Sequence, residues 1–153
     1  MPNIINRHNY RRIMIRTLYT IDFNKQLELD NDDLLSSLLF SSDCDDDNTL
    51  YEEYKETFDQ MVQELNNILD KWDDINRLIS KNLVNYTIDR LNIVDRAIIR
   101  YAVYEMCYKD IPNNIVINEA ILLTKEYSNL EDGKQSKFTN SVLDKINKGL
   151  SNE

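Results

Sequence analysis

Three features of the 153-residue chain predict an all-α fold, with about seven helices in two small packed bundles. Apolar residues recur at intervals of three and four along most of the sequence, no segment alternates apolar and polar residues long enough to make a strand, and only two glycines and two prolines interrupt the chain. With 42% hydrophobic and 29% charged residues, a chain of this length suits one domain, residues 1–153, built of two subdomains. The expected subdomains are residues 1–81 and 82–150, meeting near residue 82.

The first helix is expected from about Asn9, where Tyr10, Met14, Thr17, Leu18 and Ile21 face a core. Arg11, Arg12, Arg16 and Tyr19 are read as lying outside that stripe, and Arg7 stands just before the first turn. Such a face is either an ordinary solvated one with Tyr19 packing at its boundary, or a phosphate-binding strip with a stacking tyrosine. A short amphipathic piece, Asp33 to Phe40, precedes residues 41–49, which read as an acidic mobile loop.

The most regular signal follows: Tyr51, Tyr54, Phe58, Met61, Leu65, Ile68, Trp72, Ile75 and Ile79 alternate steps of three and four. A long coiled-coil helix would give this seam, but no partner heptads occur elsewhere. Two consecutive helices inside a bundle fit better, with Asn66-Asn67 and Asp73-Asp74 as places to break. Asn92 is placed to cap a helix from Ile93 to Tyr108, with Asp95 at the third position of a capping box. Pro112 and Asn113-Asn114 separate it from a helix at Ile115 to Tyr127. Ser128 to Gln135, including Gly133, reads as a loop, and Phe138, Val142, Leu143, Ile146 and Leu150 mark the last helix.

Composition excludes several classes. The longest stretch without a charged residue, Leu34 to Ser42, is nine residues, far short of the roughly 18 that a membrane helix needs. No secretory signal is readable at the start, so a cytoplasmic location is expected. Cys44 and Cys107 stand in unlike surroundings and suggest neither a disulfide nor a redox pair. His8 is the only histidine, which removes the usual nucleophile and base machinery of hydrolases and any ordinary zinc site. No metal and no cofactor are expected.

The net charge of −9 is unevenly spread. Residues 1–21 hold four arginines and no acid, residues 22–80 hold 17 acids and four bases, and residues 81–153 hold ten of each. The mean field repels phosphate, so nucleic acid could be held only through a local basic segment.

Several pieces of the sequence stand in a recognisable order: Val94 to Arg100 (VDRAIIR), Tyr104-Glu105-Met106, Ile111-Pro112, Ile117 to Ala120 (INEA), and Lys137 to Lys145 (KFTNSVLDK). In that order and spacing the chain resembles the NusB family of transcription antitermination factors, from the Arg7–Tyr19 segment through Lys145. The resemblance implies two helical bundles and a non-enzymatic protein. It implies binding to boxA-type RNA of nascent ribosomal RNA together with the ribosomal protein NusE, in a complex with RNA polymerase and other Nus factors. Monomer and homodimer both occur in the family, so that choice stays open.

Carried over residue by residue, the resemblance makes Arg7 and Arg11 candidates for phosphate contacts and has Tyr19 supply an aromatic face or hydroxyl near a base. Arg12 and Arg16 are additions that either strengthen RNA contact or balance the acidic body. Lys137 and Phe138 match the family's Lys-Phe pair, where a splayed base would stack; spacing alone also allows Phe138 to be core. Asn140 either donates to RNA or caps the neighbouring turn. Asp95 with Arg96 matches a pair near the RNA and partner surface, or is a helix-capping and surface pair. Asp132 corresponds to the family's loop aspartate in a loop longer than the family's form, and Ser141 stands where the family has glycine.

Two other readings compete. One is a helical adaptor that binds protein through its seam and acidic loop. The other is a detached RNA-binding module of the kind fused to RNA cytosine methyltransferases, although the 153 residues contain no glycine-rich cofactor loop and no catalytic cysteine motif.

Overall fold

A computed structural model describes residues 6–26, 33–42, 49–85, 87–128 and 133–151. Most of the expected acidic loop, residues 43–48, lies outside the described residues, as does Asp132. Two compact units divide between Lys71 and Trp72. The first contains α1 (Arg7–Gln26), α2 (Leu34–Ser41), α3 (Thr49–Glu53) and α4 (Lys55–Asp70). The second contains α5 (Trp72–Ser80), a 3-10 turn at Ile88–Arg90, α6 (Ile93–Tyr108), α7 (Asn113–Tyr127) and α8 (Lys134–Ser151). All regular structure among the described residues is helical, as expected.

In the first unit α2 packs on both α1 and α4. Met14, Leu18 and Ile21 of α1 meet a core that includes Leu38 of α2 and Phe58, Met61, Leu65 and Ile68 of α4, all fully buried. Each such side chain contributes about 1.5–3 kcal/mol of apolar burial. Thr17, inside this stripe, directs its hydroxyl to the Ile13 carbonyl at 2.8 Å, so the core holds no orphan there. Asp33 caps α2 by accepting from the Ser36 N–H at 2.9 Å and from its hydroxyl at 2.6 Å, and these bonds hold its carboxyl below the ordinary value.

The seam from Tyr51 to Ile79 breaks into three helices rather than two, at Tyr54 and at Lys71. The second break lies just before Asp73 and Asp74, which occupy the first turn of α5, where the helix dipole favours acids. It also moves the boundary between units from the expected 81/82 to 71/72. Helix α5 packs on α6, with Ile75 and Ile79 buried and polar ties beside them. Arg100, 4% exposed, donates from Nε to Asn76 Oδ1 at 2.9 Å and sets its guanidinium 4.2 Å from the centre of the Trp72 ring.

In the second unit α6 packs against α5, α7 and α8. Asn92 caps it as expected, Oδ1 accepting from the N–H groups of Val94 at 3.0 Å and Asp95 at 3.4 Å. Arg96 Nη1 donates to the carbonyls of Asp89 and Leu91, which fastens the 3-10 turn to the helix. Helices α7 and α8 run antiparallel, tied at one end by Asn113 Nδ2 to Asn147 Oδ1 at 2.8 Å. At the other end the hydroxyls of Thr124 and Thr139 lie 3.2 Å apart. Gly133 enters α8 with φ +69°, a conformation that suits glycine. A Cβ there would meet only Ser136 Oγ at 3.9 Å, so the demand is conformational and not one of space.

Candidate nucleic-acid interface

Helix α1 sorts its arginines onto different sides. Arg11 is 4% exposed, which corrects the expectation that it lies on the outer face. It precedes Met14 by three positions and Leu18 by seven, so helical geometry places it in the core stripe. Asp22, also buried, belongs to the same side. Arg7 is exposed at the start of the helix.

Arg12, Arg16, Tyr19 and Phe23 form a separate strip, at steps of four, three and four. Both arginines are half-buried, Tyr19 and Phe23 are exposed, and Arg16 Nη1 donates to the Ser41 carbonyl at 3.2 Å. That bond fixes the Arg16 side chain against α2 and leaves the aromatic pair outward. Phe23 is not among the residues that composition or resemblance single out, although it follows Tyr19 by four positions. Two cations beside two rings can hold a phosphate and a stacked base at once.

In the second unit Lys137 and Asn140 are exposed in the first turns of α8, and Phe138 is half-buried on its flank. Asp95 sits near the same end, beside Ser128 at the close of α7. It is buried, with Oδ1 lacking a hydrogen-bond partner among the described residues, and Ser128 Oγ is similarly unsatisfied. Burial pushes the Asp95 carboxyl up. The nearby Ser128 hydroxyl opposes that shift without completing a hydrogen bond of ordinary geometry. Asp95 is thus an inward group rather than a surface charge, and Arg96 beside it is buried and bonded to backbone.

Among the described residues no group of three His, Cys, Asp or Glu side chains could hold a metal ion, and no helix is long and apolar enough to cross a membrane. The fold and these two faces define a class: an all-helical protein whose two units each carry a basic, ring-bearing surface. The NusB family model matches residues 8–148, and the chain belongs to that family.

Individual relatives agree. The transcription antitermination protein NusB of Exiguobacterium sp. is 34% identical over 143 residues, covering 93% of this chain and 97% of that protein. The NusB of Bacillus subtilis is 47% identical over 90 residues, 58% of this chain and 64% of that protein's length. Among solved structures, T. maritima NusB superposes with a TM-score of 0.73 at 30% identity, covering 94% of this chain and 91% of that one. A chain in the crystal structure of antitermination factors NusB and NusE in complex with double-stranded RNA shares the fold, with a TM-score of 0.72 at 22% identity over 96% of this chain and 99% of that one.

Proposed function

We propose that this NusB-family chain acts in transcription antitermination by binding boxA-type RNA together with a NusE-type ribosomal protein, and that the assembly joins RNA polymerase with other Nus factors. The observation that carries the reading is the α1 strip, in which Arg12, Arg16 and Tyr19 share one face with exposed Phe23. Arg7 adds a phosphate contact at the start of the helix, and buried Arg11 supports RNA binding by holding α1 in place. In the second unit Lys137 and Asn140 contact phosphate or base edge and Phe138 stacks, while Asp95 shapes that end of the unit from inside. Asp132 is taken as a loop contact by resemblance alone. A fold neighbour solved in a complex of NusB and NusE with double-stranded RNA is in keeping with the choice of partners.

The net charge of −9 sets the energetics. An acidic body weakens RNA binding by the chain alone, and a basic ribosomal protein offsets that field and extends the contact area. The test is fluorescence anisotropy with a boxA-like RNA and a scrambled control, at two salt concentrations, with and without the ribosomal protein. Modest binding alone, tightened by the partner and selective for the boxA-like sequence, is the expected result. No preference even with the partner would leave the helical adaptor as the better reading.

A further inference from the structure

We propose that the outer face of α8 is a phosphate track for single-stranded RNA, on which Lys134, Lys137, Lys145 and Lys148 hold the backbone beside the Phe138 ring. The proposal rests on the RNA reading above and extends it from the start of α8 to the whole helix. Positions 134, 137, 141, 145 and 148 follow one another at steps of three and four, which makes a single stripe. All five side chains are exposed, whereas Ser136, Thr139, Val142, Leu143 and Ile146 face inward. From Lys134 to Lys148 the stripe runs about 21 Å along the helix axis.

Charge is sorted onto this face. Residues 81–153 carry equal numbers of acids and bases, yet α8 holds four lysines against Asp144 alone. That carboxylate lies 3.0 Å from Lys148 Nζ, so the acid engages one end of the stripe and leaves its middle positive. Ser141 stands at the midpoint, between Lys137 and Lys145. Its small side chain keeps the helix surface open to a phosphate where a longer one would cover it.

Phe138 decides between kinds of polyanion. Half-buried, it lies at the edge of the stripe, with Lys134 four residues before it and Lys145 seven after. A single strand laid over the lysines can turn one base onto the ring while its phosphates stay on the track. An acidic protein segment would use the lysines and gain little from the ring.

The test uses the full chain with the NusE-type ribosomal protein, and a boxA-like RNA with and without an unstructured extension. Lys145→Gln with Lys148→Gln removes the far half of the track and leaves Lys137, Phe138 and Asn140 intact; thermal melting confirms that the variant is folded. Expected is a fall of about 0.7–1.4 in the slope of log affinity against log salt, since each single-strand phosphate contact contributes about 0.7 and Lys148 must exchange Asp144 for phosphate to contribute its share. The affinity gained from the extension should vanish, and the preference over scrambled RNA should remain. An unchanged slope with an undiminished gain overturns the track and leaves the RNA reading standing. Weaker binding of the ribosomal protein with unchanged RNA binding assigns the face to protein and also overturns the track. Failure of the unaltered chain to bind any RNA overturns both.

Discussion

Arg100 offers a quantitative test of what joins α5 to the second unit. Arg100→Met keeps most of the stem's packing but removes the cation over Trp72 and the bond to Asn76. A desolvated cation–π contact contributes about 1–2 kcal/mol. A hydrogen bond from a charged donor, here at 2.9 Å, adds about 1.5–3 kcal/mol. Against these losses, methionine carries no charge to bury, and burying one opposes the folded state by several kcal/mol before its partners respond.

The relief offsets only part of the losses, and we expect a net destabilisation of about 2 kcal/mol, or about 4–8 °C in Tm for a chain of this size. Arg100→Lys should be worse, at about 3 kcal/mol, because it retains a buried charge, hydrates more strongly and lacks the planar fork. The assay is urea unfolding followed by far-UV circular dichroism and by tryptophan emission. Trp72 is the only tryptophan, so its emission reports this contact directly. The reasoning fails if Arg100→Met lies within about 0.5 kcal/mol of the parent, if Lys is tolerated better than Met, or if Trp72 emission in the folded state does not change.

Three further outcomes follow from the geometry. Asp95→Asn should stabilise the chain by about 1 kcal/mol at neutral pH, because it removes a carboxylate charge that burial disfavours, an effect reduced by the favourable helix-start position and by partial solvent screening. The raised carboxyl binds its proton more tightly when folded, so its penalty is full above the folded value. It fades as pH falls toward 3.8, the ordinary value, and urea midpoints measured against pH should converge there for the two proteins. Arg11→Gln should lower stability by about 2 kcal/mol. Arg12→Gln should instead leave stability within about 0.5 kcal/mol and reduce the salt slope of RNA binding by about 0.7; equal effects on unfolding would show that α1 does not sort its arginines. Asn92→Ala should cost about 1 kcal/mol through the lost cap of α6, and Asn92→Gly only a few tenths, read from thermal melts.

Local chemistry made some features legible in advance. Asn92 had both the residue type and the position of a cap, and α6 begins just after it. The breaks in the long seam were harder, since the steps of three and four run through Tyr54 and Trp72 without a fault. Spacing shows which side chains point inward, but not which bundle receives them. Contacts far apart in sequence, such as that of Arg100 with Trp72 across 28 positions, are not written in spacing.

Arg11 shows a different failure. A stripe drawn through Tyr10, Met14, Thr17, Leu18 and Ile21 leaves Arg11 outside it, although its register with Met14 and Leu18 is that of the core. The lysine stripe of α8 shows the converse, a face written plainly in spacing and obscured by the neutral net charge of the segment around it.

Residues Asp95 to Met106 of α6 are all buried, twelve in succession, with charged side chains among them. An amphipathic helix at a surface can fray or shift while its wet side stays wet, so its backbone amides exchange with solvent through small openings. A helix covered on every side has no such route. Its amides should exchange only when the second unit comes apart, which makes deuterium uptake along α6 a clock for global opening. Any ligand that binds the folded unit should slow that clock by the factor with which it shifts the unfolding equilibrium.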